Sequence, residues 1–373
     1  MFLAPITVGG QDFDVVIDTG SSDPWLAGTG FDCIDSYDYS DVPEEYCNFG
    51  PLYDVSKSKT FTNIPDRNMN LSYADGEALN ALMGYEAYSM AGITVPNQQF
   101  GLVNYAAWMG DGISSGLVGF AYSSLTSAYA GTNPKADVRG KQINYNTLFT
   151  NMINQNLTLP VFSIAMSRDE SIGGIMALGG IPDIPISPYW VSTPIIPYVF
   201  LQSKAIVYDF YTIVTDGFAY SNKQNEQFNV FGSPNSKKKA VVGNGTRAIV
   251  DSGTSLIYVP NNVAVGVTLA FTPPGTCDPD GDDPNCYVDC DAIPPVFGVS
   301  IGRKIFYVNA ADMILQNGDT CISTVQANLG GLTILGDGWM KNVLCVFDIG
   351  AEMMRFAARQ FYGFGPKGAN SGY

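Results

Sequence analysis

The 373-residue sequence contains no histidine. That absence removes the Ser-His and Cys-His nucleophile pairs and the commonest zinc ligand. Basic residues are scarce too. Only 19 Lys and Arg face 35 Asp and Glu, a formal net charge of −16, which speaks against a nucleic-acid partner. Long apolar runs are missing: stretches such as 195–201 are broken by proline and far too short to span a bilayer. The opening Met1-Phe2-Leu3-Ala4-Pro5 is too short, and lacks the basic residues, for a signal peptide, so the chain reads as a mature or truncated form of a soluble protein. Seven cysteines are too few for a disulfide-dense miniprotein but suit a few bridges in a secreted one. Strands do not alternate with long helical periods, which argues against a parallel α/β sheet.

What the chain has in quantity is glycine (40), proline (22) and apolar residues (46%). That composition implies many short strands joined by tight turns. An acidic, lysine-poor surface sheds net charge as pH falls, which suits acidic surroundings and equally suits an ordinary solvated surface. Three sequons, at Asn70, Asn156 and Asn244, are candidate glycosylation sites and point to the same secreted setting.

One five-residue stretch occurs twice. Asp18-Thr19-Gly20-Ser21-Ser22 reappears as Asp251-Ser252-Gly253-Thr254-Ser255, identical once Ser and Thr exchange. Each copy follows an apolar run, Val15-Val16-Ile17 or Ala248-Ile249-Val250, and so reads as a strand turning sharply and presenting a carboxylate. An apolar-apolar-Gly strand follows each copy, at Leu117-Val118-Gly119 and at Ile334-Leu335-Gly336. The repeat predicts two similar lobes, 1–185 carrying Asp18 and 186–373 carrying Asp251, with the boundary in the proline-rich 182–197.

Along the chain, 4–28 reads as a hairpin and 30–50 as a polar loop bounded by Cys33 and Cys47, which a disulfide would close. Tyr73-Ala74-Asp75-Gly76 has the signal of a hairpin tip. Residues 144–156 read as an amphipathic helix, and 206–214 and 218–220 as strands. The 222–246 segment, with Lys237-Lys238-Lys239, reads as an exposed insertion rather than a binding patch. Alternating aspartates from Asp278 suggest calcium, but the glycine falls too early and Asp289 stands where an EF-hand needs Glu, so a solvated loop is the better reading.

Two facing carboxylates cannot both ionise cheaply, so such a pair holds one proton over a range of acidic pH. One can then take a proton from a water while the other protonates the carbonyl under attack, with no covalent intermediate. Gly20 and Gly253 would let backbone N–H groups reach the carboxylates, and Ser21 and Thr254 would donate to their outer oxygens. An ordinary β-turn explains one such Asp-Thr-Gly but not two.

These motifs, in this order and over nearly the whole chain, resemble the pepsin family (A1) of aspartic endopeptidases, most of all its secreted fungal members. The resemblance implies an all-β, mainly antiparallel, bilobal fold with a few short helices. It implies Asp18 and Asp251 as the catalytic pair, supported by Thr19, Ser21, Ser252 and Thr254. Gly20, Tyr73, Asp75, Gly76, Gly253 and Thr254 match substrate-binding positions, Tyr73 and Gly76 belonging to a mobile flap that Trp25 supports. Asp75 is similar to an acid that accepts basic side chains in some fungal members, or is simply the turn-forming residue. Family bridges match Cys33–Cys47 and Cys290–Cys321. Cys277–Cys286 suits an extra local bridge, which leaves Cys345 as a buried thiol. The activity implied is cleavage of extended polypeptides at apolar or aromatic residues under acidic conditions. A secreted rather than vacuolar monomer is expected, sensitive to statine-type inhibitors and needing no cofactor or metal. The rival readings are an idle, pepsin-like peptide-binding protein and a glycosidase; the repeated turn speaks against the second. Departures from the family pattern are Ala74 for a flap glycine, Asp23-Pro24 for Asn-Leu before Trp25, and longer loops at 30–50 and 222–246.

Overall fold

In the strand Gln11–Asp18, buried Phe13 and Val15 alternate with exposed Asp12 and Asp14 at its start, and the last four residues are all buried. A segment with that pattern is half-solvated at its beginning and enclosed on both faces where it reaches the carboxylate. The computed structural model of the chain describes residues 2–38, 40–74, 76–168, 173–199, 205–221, 245–281, 283–328 and 331–359. Asp75, Asn244 and the lysine run 237–239 lie outside the described residues.

The chain divides into two compact units, one of Phe2–Thr158 with Tyr198–Phe210, the other of Leu159–Pro197 with the chain from Tyr211 onward. The proline-rich 182–197, where the sequence places its boundary, contains the strand Ile186–Pro194. Among the described residues there are three α-helices, all short, and five single-turn 3-10 helices; the remainder is strands, turns and irregular segments. This is the all-β fold with a few short helices that the family resemblance implies.

The first unit is built on a nine-stranded sheet. Strand Gln11–Asp18 runs parallel to Ser114–Gly119, with Asp18 beside Gly119. Ser114–Gly119 is in turn antiparallel to the strand that begins at Pro24, with Trp25 opposite Leu117. Pro24 opens its strand, where a missing N–H costs no ladder bond. Under this sheet lies a core of Trp25, Met69, Met83, Val103, Trp108 and Leu117 with their neighbours.

The second unit repeats that arrangement. Thr246–Val250 runs parallel to Ile334–Leu335, pairing Val250 with Leu335, and Ile257–Val259 lies antiparallel to the same short strand. A separate five-stranded antiparallel sheet is completed by Val161–Met166, Val343–Asp348 and Met353–Arg359 among others. There Phe162 stacks on Phe347 at 4.5 Å, with Tyr211 edge-on to both rings.

Two expected elements differ. The helix expected over 144–156 runs only from Leu148 to Asn154, because Thr147 caps it by accepting from the Thr150 N–H. Tyr145 N and Asn146 O are bound elsewhere, to Thr126 Oγ1 and Gln98 Nε2. The strand expected over 206–214 is two strands, Ile206–Val207 and Thr212–Thr215, which belong to different units. Cys33–Cys47, Cys277–Cys286 and Cys290–Cys321 are bonded, and Cys345 is free and buried.

Candidate active site

Each carboxylate turn is fixed by the strand that follows it in the ladder. At Asp18, the Gly20 N–H donates to Oδ1 at 2.7 Å and Ser21 Oγ to Oδ2 at 2.5 Å. At Asp251, the Gly253 N–H donates to Oδ1 at 2.8 Å and Thr254 Oγ1 to Oδ2 at 2.6 Å. The two turns therefore hold their carboxylates with the same donors in the same order. Only 5% of Asp18 and 8% of Asp251 is exposed, and Thr19 and Ser252 beside them are buried.

The glycine of each apolar-apolar-Gly strand permits this closeness. A Cβ on Gly119 would lie 2.5 Å from Ser22 backbone atoms, and one on Gly336 would lie 2.2 Å from the Thr254 carbonyl oxygen. Backbone bonds then lock both turns: Phe120 N to Asp18 O and Ala121 N to Ser21 O in the first, Asp337 N to Thr254 O and Gly338 N to Ser255 O in the second. No side chain larger than hydrogen fits at either crossing.

Beside the first turn, Trp25 Nε1 donates to Tyr73 Oη at 2.9 Å. Burial, followed by the nearby Asp18 carboxylate, pushes the Tyr73 phenol well above its usual range. It is therefore a neutral hydroxyl at any acidic pH. Tyr73 follows the strand Thr62–Ser72, its N–H bound to Glu77 O and its carbonyl accepting from Gly76 N, with Gly76 at φ 99°. A positive φ of that size is why glycine stands there.

Sequence reasoning missed three residues around this tyrosine. Trp108 lies edge-on to Tyr73 at 5.6 Å and to Trp25 at 5.0 Å, and Phe49 stacks on Trp108 at 5.8 Å. Glu77 Oε1 accepts from the Met109 N–H at 2.9 Å. With only four tryptophans in the chain, Trp108 was the one signal available.

Asp23, noted as a departure from the family pattern, is wholly buried. Tyr145 Oη donates to its Oδ1 at 2.6 Å, and the Ser127 N–H reaches both oxygens at 3.0 and 3.1 Å. Burial raises its pKa to about 6, although those donors pull the other way. Of the sequons, Asn156 is exposed, whereas Asn70 Nδ2 donates to Pro134 O and Asp137 Oδ2. Among the described residues no three of His, Cys, Asp or Glu converge to hold a metal. None of the helices there is long and apolar enough to cross a membrane.

Each of the two β units presents one aspartate on the same kind of glycine-backed turn. The sequence model of the eukaryotic aspartyl protease family matches residues 1–359, and the chain belongs to that family. It is 40% identical to a probable aspartic-type endopeptidase of Aspergillus fumigatus, over 96% of this chain and 78% of that one. Rhizopuspepsin-4 of Rhizopus niveus is 27% identical, over 93% of this chain and 74% of its own length. Pepsin A of Suncus murinus is 26% identical, over 93% and 77%. The chain is thus an aspartic-type endopeptidase.

Proposed function

We propose that Asp18 and Asp251 act together on one water to hydrolyse internal bonds of extended polypeptides at acidic pH. What carries this reading is the sameness of the two turns: each carboxylate has one oxygen on a glycine N–H and the other on a Ser or Thr hydroxyl. Fixed donors of this kind hold a carboxylate in one orientation, so a proton can be taken or given along a defined direction. One aspartate removes a proton from the water as it attacks the peptide carbonyl. The other, protonated, donates to the carbonyl oxygen, and the tetrahedral intermediate then expels the amine with no acyl-enzyme. Tyr73 and Gly76 form a flap over the substrate, and Trp25 holds the tyrosine hydroxyl in place. Asp75 lies next to them in sequence, and its selectivity for basic side chains belongs to the same reading. The enzyme works as a secreted monomer and is blocked by statine-type inhibitors. Three disulfides and fungal relatives support the extracellular setting.

The test is cleavage of a denatured protein from about pH 2 to about pH 7, with and without a statine-type inhibitor, beside Asp18→Asn and Asp251→Asn. Each substitution is expected to cut the rate by about 10²–10⁴-fold. An Asn variant of either residue that keeps the full acid-dependent rate sinks the dyad. Inhibitor binding without any cleavage would mark an idle peptide-binding protein instead.

A further inference from the structure

We propose that Glu77 is a positioning residue for the flap, latching it to a loop that the Cys33–Cys47 disulfide holds from behind. The inference rests on the flap reading of Tyr73 given above. Glu77 is tied to Tyr73 through the backbone bond that closes the hairpin turn. Its side chain leaves the hairpin and accepts from Met109 N, in the loop after the strand Ile93–Ala107. One residue earlier in that loop, Trp108 supports the Tyr73 ring edge-on. A polar bond and a ring contact therefore join the same two segments on either side of the turn.

The loop is itself anchored. Gly110 N donates to Cys47 O at 3.0 Å, Gly112 N to Asn48 O at 2.8 Å, and Asn48 Nδ2 to Gly110 O at 3.0 Å. A Cβ on Gly110 would lie 2.2 Å from Asn48 O, so the two backbones touch and no side chain separates them. Cys47 is bonded to Cys33, and Phe49, two residues on, stacks on Trp108. The disulfide-closed segment, the 108–112 loop and the hairpin turn thus form one continuous contact chain. A flap that opens and closes spends only part of its time in the binding-competent position, and that fraction divides the apparent affinity. The Glu77 carboxylate, as a charge-assisted acceptor, raises the fraction.

The experiment measures kcat and KM on an extended peptide, Ki for a statine-type inhibitor, and hydrogen exchange of the free enzyme. The variants are Glu77→Ala, Glu77→Gln and Tyr73→Ala, with active-site titration fixing the folded fraction. Glu77→Ala is expected to raise KM and Ki by about tenfold, the effect of losing one hydrogen bond to a charged group, with kcat changed by less than about twofold. Backbone exchange should rise together over 71–79 and 107–112. Glu77→Gln, which keeps an acceptor oxygen but loses the charge, should bring KM and Ki back to within about threefold of the parent. Unchanged KM and Ki in Glu77→Ala overturn the proposal, as does a loss confined to thermal stability, or Gln behaving like Ala. Impairment of Tyr73→Ala alone would leave the flap reading standing and remove only the latch. A Tyr73→Ala enzyme with parental KM and Ki would remove the flap reading, and the latch with it.

Discussion

Asp23→Asn should make the first unit more stable near neutral pH and leave it no more stable in acid. Asp23 is 0% exposed, has no cation against its oxygens among the bonds described, and titrates near 6 in the fold against 3.8 for an ordinary aspartate. Below 3.8 both folded and unfolded chains hold the proton, and the residue contributes no pH dependence. Between 3.8 and about 6 the unfolded chain releases a proton that the fold retains, so stability falls as pH rises. The slope is about 1.4 kcal/mol per pH unit, and the full penalty, about 3 kcal/mol, stands above pH 6. Asparagine removes that penalty. Its Oδ1 can keep the bonds from Tyr145 and Ser127, but its Nδ2 then faces the Ser127 N–H where Oδ2 now accepts. That mismatch costs about 1 kcal/mol at every pH. The difference between variant and parent should therefore run from slightly unfavourable near pH 3.5 to about 2 kcal/mol favourable at pH 7. Urea unfolding at several pH values measures it, with pulsed hydrogen exchange assigning the transition to Phe2–Thr158. A difference that stays flat across that range would refute the reasoning, since any pH-independent repacking shifts both curves alike.

Two further outcomes follow from the same unit. Glu86 accepts from the hydroxyls of Tyr53, Ser58 and Thr60 and from the Ala87 N–H, and none of it is exposed. Glu86→Ala would orphan the buried Tyr53 hydroxyl, while the Ser58, Thr60 and Ala87 donors are at least partly open to water, and should cost about 1–3 kcal/mol, read as a fall in the urea midpoint at unchanged slope. Expression through a secretory host tests the sequons: Asn156→Gln should remove a glycan mass, whereas Asn70→Gln should leave the mass unchanged, because the Asn70 amide is already committed to Pro134 and Asp137.

What the sequence revealed and what it concealed divide by the range of the interaction. The carboxylate turns were legible because everything that builds them is local: an apolar strand, Asp, a glycine two residues on, and a hydroxyl after it. The bridges Cys33–Cys47 and Cys277–Cys286 close short local loops and were legible for similar reasons, whereas Cys290–Cys321 was expected only through the family resemblance. Glu77 was not, since its partner Met109 follows a whole strand and nothing in either residue's neighbourhood marks it. The helix start at Leu148 was displaced by a cap and by two backbone bonds to distant segments. Asp23 stood out as a departure, but its complete burial depends on Tyr145 and Ser127, more than a hundred residues away. Pattern reading finds the turn and misses what packs behind it.

Asp23 and Glu86 show why burial alone does not predict how a carboxylate responds to acid. Both are wholly enclosed in the same unit, and burial pushes both pKa values up. Glu86 nevertheless ends below its ordinary 4.5, because three hydroxyls and one amide donate to it. Asp23 ends near 6 because burial outweighs its donors, the Tyr145 hydroxyl and the amide and hydroxyl of Ser127. The balance between the burial penalty and the donors decides the sign. The consequences for stability are opposite. The Glu86 contribution is present above 4.5 and is lost as pH falls through its lowered folded value, whereas the Asp23 penalty grows as pH rises towards 6. Between them they favour the folded unit in mildly acidic solution.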